Sequence, residues 1–121
     1  MAGRILIIDD EADFRNVLKL RLEANGYEII EAADGEEGLR VAEKETVDLI
    51  ILDIMMPKKD GYTLLKEFKI HKRTKNIPVI VLTAKPDMKD LFAMEGIKHY
   101  FIKPFNCEEF LPKVKELILK K

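Results

Sequence analysis

At 121 residues the chain is long enough for one compact domain with its own core and too short for two. Hydrophobic residues make up 47% and charged residues 36% with a net charge of −1, a balance that fits a soluble globular protein rather than a disordered one and gives no overall pull toward nucleic acid or anionic membrane. No apolar run approaches the roughly 18 residues needed to span a bilayer, the opening residues are not expected to act as a signal peptide, and the single cysteine, Cys107, cannot form an internal disulfide, so a cytoplasmic location is expected.

The first strand is expected over Arg4–Asp9, where Ile5-Leu6-Ile7-Ile8 is continuously apolar, the pattern of a parallel strand covered on both faces. A helix follows, with Phe14, Val17, Leu18, Arg21 and Leu22 on one face and Asn25-Gly26 as its stop. Tyr27–Glu31 is shorter and more mixed, as an edge strand would be. Asp34 is placed to cap a second helix, with Glu37 three residues later reaching back. Val47–Asp53 reads as a second fully buried strand, and Leu64, Leu65 and Phe68 as the buried stripe of a third helix. Within the strand Pro78–Thr83 the run Val79-Ile80-Val81-Leu82 is again continuously apolar, Leu91 and Met94 can anchor a short helix, and His99–Lys103 has the character of the other edge strand. A last helix carries Phe110, Val114, Leu117 and Ile118 on its apolar face, with Asn106 and Glu109 as a capping pair. Pro112 removes a backbone donor there, so a slight kink or a later start is expected. Strands alternating with helices make one α/β domain, and right-handed crossovers put helices on both faces of the sheet.

In open α/β sheets ligands bind outside the carboxyl ends of the strands, so the polar residues that end them are the informative ones. The first strand runs into Asp9, Asp10 and Glu11; the third ends in Asp53, the fourth in Thr83 and the fifth in Lys103. Parallel strands would bring these groups to one edge, where clustered carboxylates repel unless a cation joins them. Asp9, Asp10 and Asp53 are hard oxygen donors, which favours Mg²⁺. The rest matches a phosphoryl group: a carboxylate nucleophile, a lysine point charge and a threonine hydroxyl. Each residue alone is more often a cap, a solvated charge or a strand end satisfied by backbone. Together they form a specific constellation.

Four segments carry a resemblance over essentially the whole chain: Ile5-Leu6-Ile7-Ile8-Asp9-Asp10-Glu11; Leu52-Asp53-Ile54-Met55-Met56-Pro57 with Asp60-Gly61; Val81-Leu82-Thr83-Ala84; and Tyr100-Phe101-Ile102-Lys103-Pro104-Phe105. With them the sequence resembles response-regulator receiver domains of two-component signalling. The resemblance implies one receiver domain over residues 1–121, a flavodoxin-like (βα)5 three-layer sandwich with parallel strand order 2-1-3-4-5. It implies Asp53 as phosphoacceptor and Asp9 and Asp10 as the acidic pair for Mg²⁺, Asp10 directly and Asp9 through water. It further implies the Met55 carbonyl as another metal ligand, Thr83 as switch hydroxyl, Lys103 as phosphate-binding lysine, Tyr100 as aromatic rotamer switch, and a cis Lys103-Pro104 bond. The implied role is signalling rather than enzymatic turnover. A sensor histidine kinase or phosphotransfer protein would donate the phosphoryl group, and a downstream effector would read the changed surface. A phosphorylation-dependent homodimer is a further state open to the family, and direct nucleic-acid or membrane contact is not expected.

Some residues depart from the pattern. Lys59 replaces an apolar residue before Asp60-Gly61, the stretch from Thr83 to Lys103 is about two residues short, and Gly96-Ile97-Lys98-His99 stands where an acidic pair is common. Met55 and Lys85 flank the expected route of hydrolytic water. Met55 offers only an apolar thioether and Lys85 donors without an acceptor, so a comparatively long-lived phosphoryl group is expected. A Mg²⁺-dependent phosphatase is disfavoured because Met55 stands at the i+2 position from Asp53, where a second acid is needed, and a flavin-binding flavodoxin because no phosphate loop follows the first strand. A pseudo-receiver that never takes phosphate is disfavoured by the complete set of site residues. His71 and His99 lie outside any helical-bundle donor module.

Overall fold

The computed structural model describes residues 3–53, 61–83, 99–103 and 107–119. Its elements are β1 (Arg4–Ile8), α1 (Ala12–Ala24), β2 (Glu28–Ala32), α2 (Gly35–Lys44), β3 (Leu49–Asp53), α3 (Gly61–Ile70), β4 (Val79–Thr83), β5 (Tyr100–Ile102) and α4 (Cys107–Leu119). All the pairings are parallel, and the sheet order is β2-β1-β3-β4-β5, as the resemblance implied.

The apolar runs are continuous because alternate residues of each strand feed different cores. Ile5, Ile7, Leu49, Ile51, Ile80 and Leu82 pack with Leu18 and Leu22 of α1 and with Phe110, Val114 and Leu117 of α4. Leu6, Ile8, Ile50 and Leu52 pack on the opposite face with Ala42 of α2 and Leu64, Leu65 and Phe68 of α3. β1 and β3 lie in the middle of the sheet, and every apolar residue from Ile5 to Ile8 and from Leu49 to Leu52 is fully buried. The edge strands β2 and β5 are only partly covered, as their mixed composition anticipated.

The local signals act as expected with small shifts. Gly26 takes a positive φ of 91° and ends α1, where its N–H and that of Asn25 return to carbonyls of the last turn. Asp34 caps α2 by accepting from the Glu37 N–H at 2.9 Å, while the Glu37 carboxylate accepts from the N–H of Ala33, one residue before the cap. Pro112 lies inside α4, which begins at Cys107 and not later, while Asn106 falls outside the described residues.

Val17 corrects the expected face of α1: it is 57% exposed, as is Leu20. At about 100° per residue, the Phe14–Leu18–Leu22 ridge takes the core, and residues one position earlier lie on its flank.

Small residues set the depth of α2: Gly35, Gly38 and Ala42 are its buried positions. A Cβ at Gly38 would stand 2.5 Å from Cδ1 of Ile8, closer than real carbon contacts allow. Gly38→Val should therefore destabilise the domain by about 2–3 kcal/mol, since overpacking outweighs the lost glycine entropy. Urea denaturation reads this directly, and an unchanged midpoint would mean that Ile8 yields at little cost.

Candidate functional site

The turn after β1 builds one wall of the site. The register pairs Ile8 of β1 with Leu52 of β3, so Asp9 and Asp53 follow as neighbours on adjacent central strands. Both are almost fully buried, at 1% and 5% exposure, whereas Asp10 is exposed. The three carboxylates offer oxygen atoms that all lie within 4.8 Å of one another.

Lys103, directly after β5, is brought in from 94 residues away. Its ammonium lies 2.9 Å from Asp9 Oδ2, 3.1 Å from Glu11 Oε1 and 3.4 Å from Asp53 Oδ2. It also stands 3.9 Å from the centre of the Phe14 ring, within cation–π range. Burial alone would lower the lysine pKa, but the hydrogen bonds it donates to Asp9 and Glu11 and the charges of Asp53 and Asp9 outweigh it, and the net direction is upward from 10.5. Lys103 is held as a cation.

A second layer fixes the turn. Asp9 Oδ1 accepts from the N–H of Glu11 at 2.9 Å, and the Asp9 N–H donates to the Ala32 carbonyl at 3.2 Å. Arg15 donates to the Asp9 carbonyl at 2.7 Å and pairs with Glu31 at 3.2 Å, bracing α1 against β2. Asp9 is thus oriented through its side chain and both backbone groups, which leaves it little freedom.

Thr83 ends β4, where its backbone pairs with Ile102 one step before Lys103, so the strand register carries it to the same edge of the sheet. Tyr100 opens β5 opposite Val81 and is half-buried. Met55, Lys59, Lys85, Pro104 and the stretch around Leu91 and Met94 lie outside the described residues.

Asp9, Asp10, Asp53 and Lys103 therefore meet as the strand ends foretold. Phe14 and Arg15 were not foreseen as parts of the site, and Glu11 was placed at its edge without a role. Glu11 stood in the acidic run, but nothing local distinguishes a carboxylate that reaches Lys103 from one at a solvated helix start. The donor set suits a small hard cation. One lysine against three aspartates leaves a double negative charge on oxygen ligands alone, two of them pre-oriented by burial. The arrangement thus combines an acidic edge whose oxygens could hold a cation, a buried carboxylate and a fixed ammonium.

A doubly wound parallel sheet with this acidic cluster at its carboxyl edge defines the class of fold and site. The family model for the response regulator receiver domain matches residues 5–115, and the chain belongs to that family. It is 40% identical over 117 residues to the "Probable transcriptional regulator ycf27" of Porphyridium aerugineum, a match covering 95% of this chain and 48% of the relative. It is also 40% identical over 120 residues to the alkaline phosphatase synthesis transcriptional regulatory protein PhoP of Bacillus subtilis, covering 98% and 49%. The chain thus spans about half the length of the curated relatives it matches. Among solved structures, it is similar to the response regulator TrrA of Thermotoga maritima in complex with Mg²⁺ and BeF, with a TM-score of 0.85, 38% identity, and coverage of 95% of this chain and 98% of that one. No helix among the described residues is long and apolar enough to cross a membrane.

Proposed function

We propose that the chain, as a single receiver domain over residues 1–121, accepts a phosphoryl group on Asp53 from a partner histidine kinase or phosphotransfer protein and signals through its altered surface. The observation that carries this reading is the meeting of Asp9, Asp10 and Asp53 around one divalent-sized gathering of oxygens, with Lys103 3.4 Å from Asp53. The Mg²⁺–BeF complex of the related TrrA lends it support.

Asp9, Asp10 and Asp53, joined by the Met55 carbonyl, would hold Mg²⁺. When bound, the ion neutralises charge on the phosphoryl oxygens as they approach the carboxylates. The chain's own residues do the rest. An Asp53 carboxylate oxygen bonds to phosphorus as the P–N bond to the donor histidine breaks; the imidazole nitrogen keeps that electron pair, and the ring leaves neutral, with its other nitrogen carrying a proton. Lys103 donates to a phosphoryl oxygen by a charge-assisted hydrogen bond. Thr83 supplies a hydroxyl donor to another, and Tyr100 fills the space its movement opens. Output passes to an effector protein or domain, and a phosphorylation-dependent pairing of two copies is consistent with this use of the surface. The site works in the cytoplasm as a signalling device, with chemistry limited to its own phosphorylation and dephosphorylation.

Beryllium fluoride, which mimics the phosphoryl group, tests this reading. NMR titration should show a saturable complex with shifts at Asp53, Thr83 and Lys103 when Mg²⁺ is present, and none after chelation. Binding that is equal with and without Mg²⁺, or absent altogether, would sink the assignment.

A further inference from the structure

Three carboxylate oxygens share the Lys103 ammonium, and they are not equivalent. Asp9 is buried and oriented by the N–H of Glu11, the Ala32 carbonyl and Arg15. Asp53 is also buried and is the most distant at 3.4 Å. Glu11 approaches to 3.1 Å, but its side chain is 63% exposed. An ammonium has three N–H donors, and the three oxygens can engage all of them. A phosphoryl group on Asp53 takes the place of that carboxylate's charge beside Lys103, and its oxygens then share the ammonium with Asp9 and Glu11. Water can replace the lysine cheaply around an exposed carboxylate and cannot do so around a buried one.

Resting on the receiver reading above, we propose that Glu11 is a positioning residue for Lys103, a releasable counter-ion that occupies the lysine in the unphosphorylated state and competes with the phosphoryl group for it. Asp9 and the ring of Phe14, 3.9 Å from the ammonium, keep Lys103 in the site when Glu11 releases it. Glu11 thereby sets a threshold on phosphoryl binding without touching the phosphoryl group itself.

The test uses Glu11→Gln, which keeps length and shape and removes the charge. In metal-free protein with labelled lysines, the substitution should shift the Lys103 Nζ resonance and speed its hydrogen exchange. An unchanged Nζ signal would overturn the pairing. At saturating Mg²⁺, confirmed separately for each variant, Glu11→Gln should tighten beryllium fluoride binding about two- to five-fold, the range of an exposed ion pair. Unchanged or weaker binding would overturn the competition. The same comparison in a Lys103→Met background should show no gain; an equal gain there would mean that Glu11 acts by general repulsion and not through Lys103, which also overturns the proposal. Failure of the wild type to bind beryllium fluoride would refute the receiver reading instead, and the metal-free lysine spectrum would still decide whether Glu11 holds Lys103.

Discussion

Acetyl phosphate with Mg²⁺ should add one phosphoryl group to the wild-type chain, and Asp53→Asn should lose that labelling by more than about 10²-fold, as expected when the nucleophile of a covalent step is removed. Asp53 lies at the carboxyl end of the central strand β3, 5% exposed, between the acidic turn after β1 and Lys103. Replacing its carboxylate by an amide removes the charged oxygen that must bond to phosphorus. It also turns an N–H₂ donor or a weaker acceptor toward the Lys103 ammonium. The neighbouring carboxylates are poor substitutes. Asp9 has one oxygen on the Glu11 N–H and the other on Lys103, and Asp10 sits at the exposed mouth. Intact mass and peptide mapping separate the cases. Equal labelling of the mutant on the peptide containing position 53 would refute the acceptor assignment, whereas weak labelling elsewhere would not.

How much of this was legible beforehand follows from the range of the forces involved. The strands could be read because Ile5–Ile8 and Leu49–Leu52 are short, β-branched or leucine runs apolar at every position, which suits a sheet covered on both faces. Asp9, Asp53, Thr83 and Lys103 could be picked out because parallel topology sends all strand ends to one edge, so a one-dimensional pattern carries three-dimensional information. Phe14, and the pairing of Glu11 with Lys103, could not. Their place around Lys103 depends on contacts spanning some ninety residues, and a carboxylate at a helix start or an aromatic on a helical face has an ordinary local explanation. Arg15 was missed for a different reason: its partners, the Asp9 carbonyl just after β1 and Glu31 on β2, are near in sequence, but an arginine on a helix has an ordinary solvated explanation. Val17 shows the opposite failure. Helical periodicity selected it with Phe14 and Leu18, but the width of the buried stripe depends on the packing of α1 against the sheet, which periodicity does not contain.

Lys103→Met should have two linked consequences: loss of stability without metal, and weakened phosphoryl-analogue binding with it. Removing the ammonium leaves Asp9 and Asp53, both buried, facing each other and Asp10 with oxygens inside 4.8 Å and no compensating lysine. Breaking a buried pair by deleting one partner costs about 3–5 kcal/mol, and the partial solvation at Lys103 and Asp10 brings the expected loss to roughly 2–3 kcal/mol. Saturating Mg²⁺ should recover much of that stability, because the ion answers the same excess charge. The analogue should still bind, but about 10- to 100-fold more weakly, the scale of one charge-assisted hydrogen bond. The pH dependence of the wild type follows from the upward direction of the Lys103 pKa. A group whose folded value lies above its unfolded one binds more protons when folded, so its contribution is fully present below 10.5 and disappears as pH rises through the higher folded value. The stability difference between wild type and Lys103→Met should accordingly be flat from pH 7 to about 9 and shrink above 10.5. Chelated samples in urea at several pH values give the measurement. A metal-free variant as stable as the wild type at neutral pH would mean that the carboxylates do not depend on Lys103, and the electrostatic account of the site would fail with it.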